Sequence, residues 1–207
     1  MPEAVDAPRP DTGRWLGHEA VLVPVKAFGQ AKVRLAPALS GPQRAALAQT
    51  MATRVVASAA GLPVAVVCDD PEVAGWARQL GALVIWEPGR GLNGAVQEGV
   101  ARLGAAGAGL VIVAASDLPL ATDLRWVARF SGVTIVPDRR RDGTNVIAVP
   151  TDAGFAFSYG PGSFARHLYE ASRIGRPVRV VASSALREFF HDQPPASQLS
   201  GRRVPVE

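Results

Sequence analysis

Hydrophobic residues along the chain gather in short unbroken runs, at residues 20–25, 64–68, 82–86 and 110–115. Runs this short, rich in Val, Ile and Ala, predict strands buried on both faces, as in a parallel sheet. The stretches between them carry helix signals. Ser40-Gly41-Pro42 predicts a capped start for a helix over 43–59, with Pro42 in its first turn. Further helices are expected over 71–80, stopped by Gly81, and over 94–103, with Asn93 as N-cap. The pattern then changes: residues 133–137, 145–149 and 155–159 read as short strands with an antiparallel pair, followed by a helix over 164–174 and a strand over 178–181. The alternation implies an α/β fold, a mostly parallel sheet with an antiparallel portion, covered by helices on both faces. Ligands of such sheets bind beyond the carboxyl ends of the strands. Here those ends carry Lys26, Asp69-Asp70, Glu87 and Asp117. Residues 1–19, rich in Pro, Asp and Arg, are expected to form a flexible arm, residues 20–192 one domain, and residues 193–207 a tail.

Composition narrows the class. The 207 residues are 48% hydrophobic and 19% charged, enough for one domain with a full core. Lys and Arg number 22 against 18 acidic residues, a net charge of +4, which suits nucleic acid or a phosphorylated small molecule alike. Only two of the cations are lysines, Lys26 and Lys32, and they are close neighbours. The arginines are dispersed and aromatics make up only 6%, without a base-stacking motif, so nucleic acid is not the expected partner. The single cysteine, Cys68, excludes a disulfide framework, and the three histidines, His18, His167 and His191, argue against a His-ligated metal centre. No apolar stretch reaches the roughly 18 residues of a membrane span, and no secretory signal is visible, so a cytoplasmic setting is expected.

Several motifs fall at the expected ligand edge. Lys26-Ala27-Phe28-Gly29-Gln30-Ala31-Lys32-Val33-Arg34 follows the first strand: a small-residue loop with three cations suits a triphosphate, although it is neither a Walker loop nor a dinucleotide fingerprint. Ser116-Asp117-Leu118-Pro119 places a carboxylate directly after the most apolar strand, where a hard divalent cation bound to phosphates would need it. Asp138-Arg139-Arg140-Arg141-Asp142-Gly143-Thr144 brings Thr144 to the start of a strand beside a run of arginines. Tyr159-Gly160-Pro161-Gly162-Ser163 opens a helix whose free N–H groups offer an anion site. His167 reads as packed or on the helix surface, and Cys68 as core.

Taken together, these motifs resemble the guanylyltransferases of coenzyme F-420 biosynthesis, which activate 2-phospho-L-lactate or phosphoenolpyruvate with GTP. The residues carrying the resemblance are Lys26, Ala31-Lys32, Arg34-Leu35-Ala36, Leu92-Asn93, Asp117-Leu118-Pro119, Pro137-Asp138-Arg139, Asp142-Gly143-Thr144-Asn145 and the Tyr159 to Phe164 turn with His167. It implies a three-layer nucleotide-diphospho-sugar-transferase-like fold, related to the molybdenum-cofactor nucleotidyltransferases. It also implies GTP along the first loop, with Lys26, Lys32 and Arg34 at its phosphates and Asn93 in the nucleoside region. Mg²⁺ would sit at Asp117, and Thr144, Gly160 and Ser163 would hold a phosphorylated three-carbon acid. Phosphoenolpyruvate is the favoured acid, with 2-phospho-L-lactate and 3-phosphoglycerate as alternatives, and a downstream deazaflavin transferase is the implied partner. The chain departs from the family at Ser116, where a glycine is usual, at Val33, where a threonine is usual, and at Phe190, which replaces a metal-binding aspartate and leaves Asp192 as the remaining acid. Phe190 motivates a second reading, a non-catalytic nucleotide-binding protein, and the shared fold a third, a molybdopterin-type nucleotidyltransferase.

Overall fold

The computed structural model describes residues 18–182. The expected N-terminal arm up to His18, the tail, Phe190 and Asp192 lie outside these residues. The described chain runs β1 (Glu19–Pro24), α1 (Gly41–Ala57), β2 (Val64–Cys68), α2 (Pro71–Gln79), β3 (Leu83–Trp86), α3 (Gly91–Ala105), β4 (Leu110–Ala114), β5 (Val133–Pro137), β6 (Thr144–Pro150), α4 (Ser163–Arg173) and β7 (Val178–Val180). The seven strands form one sheet in the order β3-β2-β1-β4-β6-β5-β7. β1 pairs in parallel with β2 and β4, and β2 with β3. β6 runs antiparallel between β4 and β5, and β7 pairs in parallel with β5. The α/β expectation, mostly parallel with an antiparallel portion, is met.

Two apolar layers sandwich the sheet, and the two-residue period of a strand sorts each side chain into one of them. Val21 and Val23 of β1 join α1 and α2 in one core, together with Val66, Ile112 and Val146. Ala20 and Leu22 point the other way and pack with Val96, Val100 and Leu103 of α3 and Phe164 of α4. The strand order reverses at β1, because β2 and β3 add on one side and β4 on the other. Right-handed crossovers then place the connecting helices on opposite faces, which opens a crevice at the carboxyl ends of β1 and β4. α3 seats unusually close to this line: a Cβ at Gly99 would lie 2.7 Å from Leu22 Cδ2.

The helix signals hold with small shifts. Ser40 Oγ accepts from Gln43 N–H at 3.4 Å, and Gln43 Oε1 accepts from Ser40 N–H at 2.9 Å, a reciprocal cap for α1. Asp70 Oδ1 caps α2 by accepting from Val73 N–H at 3.0 Å. α3 starts earlier than expected, at Gly91, so Asn93 lies in its first turn instead of capping it.

Residues 155–159 do not form a strand. Their amides find side chains where an expected strand would find a neighbouring backbone. Ala156 N–H donates to Glu170 Oε1 (2.8 Å), Phe157 N–H to Gln97 Oε1 (3.2 Å), Ser158 N–H to His167 Nε2 (3.0 Å) and Tyr159 N–H to Asn93 Oδ1 (2.6 Å). Gln97 Nε2 donates back to the Phe155 carbonyl at 3.1 Å, so one carboxamide serves two backbone groups as a strand partner would. The apolar alternation that suggested a strand is real, since Phe155 and Phe157 are buried, but it faces α3 and α4.

At the far edge, Gly132 enters β5 with φ +87°, and a Cβ there would lie 2.2 Å from the Pro177 carbonyl oxygen, the group that accepts Val133 N–H at 2.8 Å. Gly132→Ala is therefore expected to cost about 2–4 kcal/mol, read as a lower urea midpoint with unchanged slope. An unchanged midpoint would contradict this reading of the β5–β7 edge.

Candidate active site

The crevice at the carboxyl ends holds two adjoining lobes that share Pro24, Val25, Lys26, Gln30 and Leu92. One, about 360 Å³, is lined by Lys26, Lys32, Ser116, Asp117 and Tyr159. The other, about 330 Å³, is lined by Lys26, Asp69, Asp70, Glu87, Gly91 and Ala95. The predicted loop thus lies over the first strand and joins both lobes through Lys26. Its backbone is shaped by two 3₁₀ turns, Phe28–Gln30 and Val33–Leu35, with Phe28 buried edge-on against Trp76 at 5.3 Å between ring centres. Lys32 takes a left-handed conformation, φ 56°, between the turns, a sparsely populated state for a side-chain-bearing residue and one that favours functional sites. Its Nζ lies 2.8 Å from Asp117 Oδ2. The two motifs singled out separately in the sequence are in direct contact. Arg34 sits in the second turn, exposed, and lines neither lobe.

The predicted acid-binding residues also converge. Thr144 N–H donates to Ser163 Oγ at 3.0 Å, and Ser163 N–H donates to the Gly160 carbonyl at 3.0 Å. Thr144 and Ser163 are buried, and Gly160 adopts φ +117°. Arg166 straps the Gly160-Pro161-Gly162 turn, donating to Ser158 Oγ at 2.7 Å and to the Pro161 carbonyl at 2.6 Å. The helix start is less open than expected. Gly162 N–H donates to Asp142 Oδ1 (3.1 Å) and Phe164 N–H to the Asp142 carbonyl (3.0 Å), so a residue of the chain itself takes up amides expected to be free. Gly160 N–H and the hydroxyl hydrogens of Thr144 and Ser163 have no partner among the described residues, and none of the three residues lines either lobe.

His167 is the residue the sequence undervalued. It is fully buried, with the rings of Phe155, Phe157 and Tyr159 around it at 4.9–6.3 Å between centres. Nε2 must be unprotonated to accept Ser158 N–H, so Nδ1 carries the hydrogen and donates to Thr144 Oγ1 at 2.9 Å. That bond fills a lone pair of Thr144 Oγ1 and leaves the hydroxyl hydrogen to point elsewhere. Burial, reinforced by the Arg166 charge and opposed by Glu170, pushes the imidazole down to about 4. Glu170 is itself held down to about 2, chiefly by its hydrogen bonds from Arg173, with Ala156 N–H adding to them against burial. In the next turn, burial opposes ionisation of Asp138, but backbone donors including Asp142 and Gly143 lower its carboxyl and hold the loop before Thr144. Cys68 is buried, with its thiol pushed up to about 11 mainly by that burial, and is core as expected.

Asn93 is placed differently from the simple nucleoside contact the resemblance implied. Its oxygen is committed to Tyr159 N–H, and its neighbour Leu92, not Asn93, lines both lobes. Only a side chain reaching across 66 positions of sequence gives it this role, and no local pattern signals that.

The matching family is described as guanylyl transferase CofC like, and its model covers residues 19–187. A phosphoenolpyruvate guanylyltransferase of Rubrobacter xylanophilus is 41% identical over 77% of this chain and 82% of its own length. One from Sphaerobacter thermophilus is 32% identical over 89% of this chain and 93% of its own. Among solved structures, a nucleotidyl transferase of Methanothermobacter shares the fold with a TM-score of 0.58 at 20% identity, covering 80% of this chain and 87% of that one. A candidate nucleotide-diphospho-sugar transferase of Desulfovibrio desulfuricans G20 matches at 0.67 and 15% identity, over 81% and 80%.

The buried His167 gives stability a defined pH dependence. Its folded pKa lies below the usual 6.5, so the unfolded chain binds more protons between pH 6.5 and about 4. The stabilisation is complete above that window and is lost as pH falls through it, by up to about 1.4 kcal/mol per pH unit. Urea unfolding of His167→Gln should show a flatter profile than wild type over this range, and parallel profiles would contradict the assignment.

Proposed function

The chain belongs to the CofC-like guanylyl transferase family, and from that premise we propose that it transfers the guanylyl group of GTP to phosphoenolpyruvate, releasing pyrophosphate. The observation that supports the reading is that the segment leading into the Gly160–Ser163 turn reaches the lobe of the two lysines and Asp117. Lys26, Lys32 and Asp117 line a lobe that Tyr159 also lines, and Tyr159 directly precedes the Gly160–Ser163 turn joined to Thr144. The curated relatives named phosphoenolpyruvate guanylyltransferase support this acid as the acceptor.

In the proposed reaction an oxygen of the acid's phosphate forms a bond to the α-phosphorus of GTP, and the bond from that phosphorus to the β-phosphate bridge breaks. The attacking phosphate is already ionised at neutral pH, so no general base is needed. The work falls to positioning and to charge. Lys26 and Lys32 would offset the triphosphate, with Arg34 approaching it from the second 3₁₀ turn. The Lys32–Asp117 pair is partly exposed, 23% and 55%, and such pairs are worth at most about 1 kcal/mol, so the ammonium is able to turn toward a phosphate. Gly160 N–H and the hydroxyls of Thr144 and Ser163 would grip the acid.

A magnesium ion fits the donors present. Asp117 offers an exposed hard oxygen, and Mg²⁺ on phosphates takes only one or two protein carboxylates. Asp117, with Asp192 as a second carboxylate, would hold it, and the ion would supply charge neutralisation at the phosphates. The product, an activated phosphoanhydride of a small acid, would be consumed by a transferase of the coenzyme F-420 pathway, in a cytoplasmic setting.

The test is to incubate the protein with GTP, Mg²⁺ and, separately, phosphoenolpyruvate, 2-phospho-L-lactate and 3-phosphoglycerate, and to follow pyrophosphate. Release is expected with phosphoenolpyruvate, falling on the order of 10²-fold or more in Lys26→Ala and Asp117→Ala. GTP binding without release for any acid would overturn the proposal in favour of a non-catalytic nucleotide-binding protein.

A further inference from the structure

We propose that Asp69 selects guanine, accepting hydrogen bonds from the N1–H and the N2 amino group of the base. The inference rests on the reading above that GTP is the nucleotide. The two lobes of the crevice share Lys26 but differ otherwise in charge: Lys32 and Asp117 line one, which suits a triphosphate with its cation, and three carboxylates, Asp69, Asp70 and Glu87, line the other. A nucleotide whose phosphates lie at Lys26 and Lys32 would run past the shared wall of Gln30 and Leu92 and bring its base into the acidic lobe.

Two of those three carboxylates are already engaged. Asp70 caps α2 through Val73 N–H. Glu87, buried, is held by Arg90 Nε at 2.9 Å and by the Arg102 guanidinium. Asp69 alone of the three has no hydrogen-bond or ion-pair partner among the described residues. It directly follows β2, which is paired on both sides, so its backbone is fixed while its side chain is free for a ligand. Val67, Leu92 and Ala95 add apolar surface against which the flat face of a purine can lie.

The chemistry of the base edges then decides. A carboxylate presents two acceptors and no donor. Guanine alone among the common bases offers two adjacent donors, N1–H and N2–H. Adenine and cytosine each set a ring-nitrogen acceptor beside their amino group, and that lone pair would face a carboxylate oxygen. Asp69 is exposed, so discrimination comes from the base: one that turns a lone pair toward the carboxylate is repelled and forfeits the two bonds guanine makes.

The test measures equilibrium binding of GTP, inosine triphosphate and xanthosine triphosphate to wild type, Asp69→Ala and Asp69→Asn. Inosine lacks the N2 amine and xanthine has a carbonyl in its place. Wild type should bind GTP about ten-fold or more tighter than either analogue. Asp69→Ala should bring GTP and inosine triphosphate to within about two-fold. In Asp69→Asn the carboxamide can accept from N1–H and donate to the xanthine carbonyl, so preference should pass from GTP to xanthosine triphosphate. Variants that keep the wild-type order, or a wild type indifferent to the base, would overturn the proposal. Pyrophosphate release by wild type is read separately: the binding order without turnover counts against guanylyl transfer and leaves the role of Asp69 standing.

Discussion

Four successive amides, from Ala156 to Tyr159, have no strand to pair with, and the way they are satisfied organises the region around Thr144, Gly160 and Ser163. They lie from part-buried to exposed, so pairing each contributes about 0.5–1.5 kcal/mol. Glu170, Gln97, His167 and Asn93 accept from them in turn, two from α4 and two from α3. One of these acceptors, His167, passes its other nitrogen to Thr144, and the last amide immediately precedes Gly160. The same bonds that make the segment stable therefore set the positions of the residues proposed to hold the acid. They also tie that region to α3, whose first turn borders the two lobes of the crevice.

The crevice itself follows from strand order. Because the sheet grows in both directions from β1, the strand ends at β1 and β4 face an opening instead of a covering helix. The loop after β1 brings the only two lysines, and the third residue after β4 is Asp117. Lys32 and Asp117 line one end of the opening, Asp69, Asp70 and Glu87 the other, and Lys26 both, so charge varies along the crevice. That variation arises within a chain whose net charge of +4 otherwise says little.

Much of this was legible in the sequence. The Val- and Ile-rich runs marked β1 to β4, the Ser40-Gly41-Pro42 signal marked α1 within two residues of its start, and the expected helix over 71–80 matches α2 at its start. The convergence of Thr144, Gly160 and Ser163 followed from the resemblance. What was not legible depends on contacts between distant side chains and backbone. Phe155 and Phe157 alternate as strand residues do, and only the acceptors on two other helices, Gln97 and Asn93 on α3 and His167 and Glu170 on α4, show why they are not. His167 looked like a packed histidine, and it is one; its two bonds, which make it a positioning group, exist only once α4 lies against residues 144 and 158. Asp142 filling the start of α4 was hidden likewise, since a loop acid and a glycine turn twenty positions apart carry no mark of their contact.

The central claim is that the crevice holds GTP and the acid so that the acid's phosphate attacks the α-phosphorus. The direct measurement is phosphorus NMR of the products formed from phosphoenolpyruvate labelled with ¹⁸O in its phosphate. The account predicts label in the bridge of the new diphosphate and none in the released pyrophosphate. Label in pyrophosphate, or release of GDP or GMP in its place, would contradict it.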